Sequence, residues 1–180
     1  MKLGVATNYC WFGPPITAIA KAIESLGFES MWMGEHPVIP VSAEGAVRYG
    51  VPLPPNYRHM PDPFVSLAAA AAVTNTIRFG TNVCLVPQRN PIHLAKEVAT
   101  LDRISGGRVI FAFGTGWVED EAAVWGYPFN KRLGRQVQAR QHGYTRTGGL
   151  FTPAAPAIIT GASALAPVAA RAHTNMGERR

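Results

Sequence analysis

Long hydrophobic runs are missing from this chain of 180 residues. The longest, Leu67–Val73, falls far short of the roughly 20 apolar residues that a helix needs to span a bilayer. The opening Met1-Lys2-Leu3-Gly4 leads straight into a strand-like Val5, with no apolar targeting segment. These absences predict a cytoplasmic protein with no membrane partner. Cysteine is scarce too. Cys10 and Cys84 lie in unrelated apolar contexts without metal-ligand spacing, so both are expected to be reduced core thiols. His59 and His93 share no ligand spacing with each other or with His36, and no metal site is expected. No Ser/His/Asp or Cys/His arrangement suggests a covalent nucleophile.

A deficit of acid gives the chain a formal charge of +6. Mapping that charge removes the nucleic-acid reading. Residues 1–135 carry 12 Lys/Arg against 10 Asp/Glu, whereas residues 136–180 carry five Arg against Glu178 alone. That tail has no Lys and no aromatic series, so a nucleic-acid partner is not expected.

What is present is a repeated strand–helix pattern. Leu3–Ala6 reads as a short buried strand. Ile16, Ile19, Ala20, Ile23 and Leu26 then fall at helical spacing after Pro14-Pro15, and Gly27 stops the helix. Ser30–Met33 is a second apolar run. Asp62-Pro63 supplies an N-cap and a first-turn proline for an Ala-rich helix over Phe64–Val73. A third strand starts at Ile77–Phe79 and runs through Gly80-Thr81-Asn82 towards Val86. Asn90-Pro91 repeats the cap-and-proline device for a helix ended by Gly106-Gly107, and Arg108–Phe113 is the fourth strand. Continuous apolar strands separated by helices indicate a parallel α/β sheet. The pattern fits either a doubly wound sheet or a (β/α) barrel. One connection stands out: residues 36–61, rich in proline and carrying Tyr49 and Tyr57, suit either a substrate lid or an insertion that packs on a neighbouring subunit.

In parallel α/β folds, ligands sit at the carboxyl ends of the strands. Here those ends are Thr7-Asn8-Tyr9, Glu35-His36, Thr81-Asn82-Val83 and Gly114-Thr115-Gly116-Trp117. Glu35 and His36 form the acid/base pair of that face, and an imidazole exchanges protons near neutral pH. Gly114-x-Gly116 lacks the third glycine and the later acid of a dinucleotide fingerprint. Glu119, Asp120 and Glu121 read mainly as the acidic first turn of a helix.

Four motifs in register carry a resemblance: Met31-Trp32-Met33-Gly34-Glu35-His36, Arg78-Phe79-Gly80-Thr81-Asn82-Val83, the Asn90-Pro91…Ser105-Gly106-Gly107-Arg108 stretch and Gly114-Thr115-Gly116-Trp117. Over about three quarters of the chain they resemble the bacterial-luciferase-like superfamily, in its branch of deazaflavin (coenzyme F420)-dependent oxidoreductases. The resemblance implies a (β/α)8 barrel of TIM type, of which residues 1–135 would be the N-terminal half, about four βα units. It implies a flat ring over the strand ends, with a non-prolyl cis peptide at Asn82-Val83 behind it. Thr81, Asn82, Val83, Gly114, Gly116 and Trp117 would then bind cofactor, and His36 with Glu35 would be catalytic. Trp117 stands where sugar-phosphate-oxidising relatives carry an acid. The implied cofactor is F420, with FMN the alternative, and the implied reaction is hydride transfer to or from a small organic substrate.

From about Gln136 the texture changes to Ala, Pro, Gly, Ser and Thr without strand–helix alternation. Residues 136–180 are expected to be an irregular tail, either natural disorder or the product of a shifted reading frame in a GC-rich gene. With the later strands lacking, the expectation is an oxidoreductase of impaired activity. The alternatives are an FMN-dependent monooxygenase and a non-catalytic half barrel that persists as a homodimer.

Overall fold

The structure, a computed structural model, describes residues 2–134 apart from 42, 44–46 and 49–50. The expected irregular tail lies outside the described residues. The elements run β1 (Gly4–Thr7), α1 (Ile16–Ser25), β2 (Ser30–Met33), β3 (Val47–Arg48), β4 (Val51–Pro52), α2 (Pro63–Ala71), β5 (Arg78–Thr81), β6 (Cys84–Leu85), α3 (Pro91–Ser105), β7 (Val109–Ile110), β8 (Phe113–Gly114) and α4 (Glu119–Val124).

β1, β2, β5 and β7 form one parallel sheet in that order. Its register puts Met31, Met33, Phe79 and Val109 on one face. There they meet Ile16, Ala20 and Ile23 of α1, Phe64 and Leu67 of α2, and Leu94, Val98 and Leu101 of α3 in one buried cluster. Consecutive parallel strands stay neighbours, and their helices share a face. A doubly wound sheet reverses strand order and covers both faces, so the arrangement is that of a (β/α) barrel, and the chain covers part of it.

The local signals that start and stop these elements are observed. The Asp62 carboxylate accepts from the N–H groups of Phe64 and Val65 at the start of α2. Asn90 does the same for Ile92 and His93 at the start of α3. Gly106 ends α3 at φ 68°, a left-handed conformation that a Cβ disfavours. At the amino ends of the strands Arg108 fastens the layers together. It donates to the carbonyls of Ala71, Ile77 and Ser105 and to the Thr74 hydroxyl, over the Phe79 ring.

Two expected strands are each interrupted. The third breaks at a cis peptide between Asn82 and Val83 and resumes as β6. The fourth is split into β7 and β8, and β8 pairs with β6 in a separate parallel ladder. Thr81 closes the gap: its hydroxyl donates to the Ala112 carbonyl at 2.5 Å and accepts from the Ala112 N–H at 3.1 Å. The long connection from His36 to Pro61 is not featureless, since it contains the antiparallel pair β3–β4 and a tight helical turn over Pro55–His59. Cys84 is a buried core thiol as expected, whereas Cys10 is only half-buried.

Glu24, near the end of α1, clamps the loop entering β5. Its Oε1 accepts from the N–H groups of Asn75, Thr76 and Ile77 and from the Thr76 hydroxyl, at 2.7–3.1 Å. These hydrogen bonds to the charged form, the Thr76 N–H foremost, hold the carboxyl down at about 2 against an ordinary 4.5. A depressed carboxyl stabilises the fold above its unfolded value, and that contribution disappears as pH falls through the folded one. Glu24→Gln is therefore expected to unfold at lower urea than the parent near pH 7. The gap should close between pH 4.5 and about 2. Urea midpoints measured across that range check it, and a constant gap would refute it.

Candidate active site

β2 ends at Met33, and the chain then carries Glu35 and His36 to opposite surroundings. His36 Nδ1 lies 3.0 Å from Oε2 of Glu121, whose side chain is fully buried at the start of α4. A carboxylate accepts only, so Nδ1–H donates, and a neutral imidazole then carries its lone pair on Nε2. No described residue hydrogen-bonds Nε2. The imidazole stacks on Tyr57 with ring centres 4.9 Å apart and meets the Trp117 ring edge-on at 5.8 Å. Tyr57 comes from the long loop, and its phenol oxygen accepts from the Asn8 amide, just after β1, at 3.3 Å. Ile39, Ala43, Leu53 and Val118 pack behind Tyr57 and Trp117 in a second apolar cluster.

Sequence reasoning read Glu119, Asp120 and Glu121 mainly as the acidic first turn of a helix, and all three occupy that turn. Glu121 is in addition the partner of His36. Its signal lay in the helical spacing from Val118: residues 118, 121 and 122 face inward together. The 85 residues between His36 and Glu121 hide the pairing from any local motif.

Glu35 goes the other way. It is 5% exposed, and its carboxylate accepts from the Leu85 N–H at 2.7 Å and from Arg89 Nε at 2.6 Å. Burial pushes this carboxyl up from its ordinary value, while Arg89 pulls it back. Arg89 also binds Asp62, the cap of α2, at 2.6 Å and Glu97 of α3 at 2.9 Å, and it stands 4.8 Å from the Phe64 ring centre. Glu35 thus ties the strand end that bears His36 to β6, α2 and α3.

The remaining expected residues meet at the same ends of the strands. Thr81 is buried and its hydroxyl is committed to Ala112. The Asn82 carbonyl approaches Gly34, and the Val83 side chain lies against Gly114. A Cβ on Gly114 would stand 2.7 Å from Val83 Cγ2, closer than side chains pack. Gly116 turns at φ 81° beside Leu85 and the buried Gln88 amide. The result is a Val83–Gly114 floor with backbone amides around it and the aromatic wall of His36, Tyr57 and Trp117. Amide, indole and imidazole groups around a glycine-lined floor fit a flat organic ring. Gly114→Ala is expected to displace Val83 and destabilise the chain by about 1–3 kcal/mol through overpacking. Denaturant unfolding checks this, and an unchanged midpoint would contradict the close approach.

The family profile described as luciferase-like monooxygenase matches residues 14–139, most of the chain. The chain belongs to this family. It is 44% identical over 118 residues to the uncharacterized protein Rv0953c of Mycobacterium tuberculosis, covering 64% of this chain and 42% of that one. It is 31% identical over 140 residues to the F420-dependent glucose-6-phosphate dehydrogenase of Amycolatopsis mediterranei, covering 75% and 38%. A shorter segment of 52 residues is 85% identical to part of the cyclic dinucleotide synthase CdnG of Bradyrhizobium diazoefficiens, 29% of this chain but 12% of that protein. Among solved structures, monooxygenase RslO1 of Streptomyces bottropensis superposes with a TM-score of 0.62 at 27% identity, over 79% of this chain and 42% of that one. The oxygenating constituent of 3,6-diketocamphane monooxygenase of Pseudomonas putida, solved with FMN, superposes with a TM-score of 0.60 at 23% identity, over 78% and 36%, and shows the shared fold. The luciferase-like chain spans at most about two fifths of the length of these relatives. The relatives it matches thus include an F420-dependent dehydrogenase, within a family described as luciferase-like monooxygenases. Among the described residues, no helix is long and apolar enough to cross a membrane.

Proposed function

We propose that this chain forms the His36-bearing part of an oxidoreductase that moves a hydride between coenzyme F420 and a small organic substrate. The observation that carries the reading is the His36–Glu121 pair, set at the ends of the parallel strands beside the Asn82–Val83 peptide. The likeness to an F420-dependent dehydrogenase supports the choice of cofactor. Asn82, Val83, Gly114 and Gly116 would hold the ring through backbone groups, with Trp117 at its margin. When bound, the ring supplies the two-electron acceptor or donor.

The chain's own residues do the rest. Glu121 holds the imidazole in one tautomer, and Nε2 takes the proton of a substrate hydroxyl or returns one to a carbonyl oxygen. Tyr57 and Trp117 fix the plane of that imidazole and keep water from its faces. Glu35, spent on Leu85 and Arg89, positions the strand end and exchanges no proton with substrate.

Fluorescence titration of the full chain with F420 and, separately, with FMN tests the reading. Saturable binding of F420 in preference to FMN supports it. Preference for FMN with oxygen-dependent turnover makes the protein a monooxygenase instead. Binding of neither ring overturns the oxidoreductase reading.

A further inference from the structure

The break in the third strand holds a group that the proposed reaction leaves unused, the Thr81 hydroxyl, and its role rests on the function proposed above. Strand register identifies the break. Gly80 pairs with Ile110, 30 positions on, but beyond the break Cys84 pairs with Phe113, 29 positions on. Between the two ladders the third strand therefore has one residue more than the fourth, which makes it a β-bulge. A bulge re-aims side chains and gives up ladder hydrogen bonds, so the buried backbone beside it needs other partners.

Thr81, 2% exposed, supplies them. Its Oγ1 accepts from the Ala112 N–H at 3.1 Å and donates to the Ala112 carbonyl at 2.5 Å. The same carbonyl accepts from the Cys84 N–H at 3.0 Å. The residues on either side of Asn82-Val83 thus converge on one residue of the fourth strand. From the second strand, the Met33 carbonyl accepts from the Asn82 N–H at 2.6 Å. Held to Ala112 at both ends and to Met33 at one side, the pair stands where Val83 meets Gly114. A hydroxyl can donate and accept at once, and a methyl in its place can do neither. We infer that Thr81 is a positioning residue. It touches no ring; its hydroxyl replaces the lost ladder partners and sets the Asn82-Val83 bulge where the pair meets the cofactor.

Two substitutions test this. Thr81→Val keeps the shape and removes the hydroxyl, whereas Thr81→Ser keeps the hydroxyl. In NMR spectra of the full chain, the contact between the Val83 methyls and the Gly114 α-protons is expected in the parent and in Thr81→Ser, and weakened in Thr81→Val. F420 affinity should fall about tenfold in Thr81→Val, the worth of one net hydrogen bond, and recover in Thr81→Ser. Glu24→Gln, altered where β5 begins, controls for stability and should bind the ring as the parent does. If Thr81→Val does not fold, the parent decides: its Thr81 hydroxyl proton should exchange slowly and contact the Ala112 N–H, and absence of that signal overturns the proposal. So does a Val83–Gly114 contact that survives Thr81→Val, or ring affinity that Thr81→Val leaves alone or Glu24→Gln lowers equally. Failure of Thr81→Ser to restore either readout overturns it too. A parent chain that binds no ring removes only the oxidoreductase reading, and the Val83–Gly114 contact then decides whether Thr81 sets the bulge.

Discussion

His36→Asn is expected to lower the rate of F420-linked hydride transfer about 10²–10⁴-fold, the usual worth of a positioned acid/base, while ring affinity stays the same. Asparagine is chosen for its geometry. Its amide N–H stands where Nδ1–H stood and still meets Glu121, but nothing replaces Nε2. His36→Ala would be a poorer test, because it strands a fully buried carboxylate. Leaving a buried acceptor without its hydrogen-bond partner costs about 1–3 kcal/mol, more for a charged group, so lost activity would then be confounded with unfolding. Glu121→Gln separates positioning from chemistry. The amide lets either imidazole nitrogen carry the proton, so kcat should fall with KM unchanged. The ¹⁵N spectrum of His36 should change from one tautomer to a mixture. A His36→Asn chain that retains the parent rate would remove His36 from the mechanism, and an unaltered ¹⁵N spectrum in Glu121→Gln would remove the orienting role.

The second large effect is on stability. Arg89→Met is expected to destabilise the chain by about 3–5 kcal/mol, a fall in Tm of roughly 6–20 °C for a domain of this size. Arg89 answers three carboxylates, but they are unequal. Asp62 and Glu97 are about 40% exposed at the side chain, while Glu35 is 1% exposed. Water can replace Arg89 at the first two. At Glu35 it cannot, and the charge is left with the Leu85 N–H and the Cys84 thiol. The loss should therefore depend on pH. Burial already raises the Glu35 carboxyl above its ordinary 4.5, and removing the guanidinium raises it further. A raised carboxyl favours the folded state in its protonated form, so the deficit is largest above the folded value and shrinks as pH falls towards 4.5. Adding Glu35→Gln to Arg89→Met should recover part of the stability at pH 7. No recovery, with a deficit that does not vary with pH, would show that Arg89 acts through packing on Phe64 instead.

Much of the fold was legible from particular residues. Asp62-Pro63 and Asn90-Pro91 announced two helices, because a capping oxygen and a fixed φ work within four residues of chain. Gly106 announced an end for the same reason. The two strand breaks differ: the resemblance placed a cis peptide at Asn82–Val83, where it is found, whereas Phe111–Ala112 sits in an apolar run whose pattern continues through the interruption. At the candidate site, His36 stands out in the sequence because it follows a strand directly. Glu35 was found beside it but faces the other way, since neighbouring residues at a strand end turn to opposite sides. Tyr57 was noted only as an aromatic in a long loop. Its contact with His36 depends on the fold of that loop and on the Asn8 amide.

The sequence by itself determined the strand–helix alternation, the helix caps and the set of polar groups at the strand ends, because each rests on neighbours within a few residues. It also carried the family, whose motifs keep their order along the chain. The strand–helix pattern left a barrel and a doubly wound sheet open; the family resemblance implied the barrel, and the tertiary structure agrees, because that choice lies in which face the helices share. Tertiary structure alone joined His36 to Glu121 and Glu35 to Arg89, at separations of 85 and 54 residues. Such pairs form when burial leaves a charged group one available partner, and burial is a property of the packed layers.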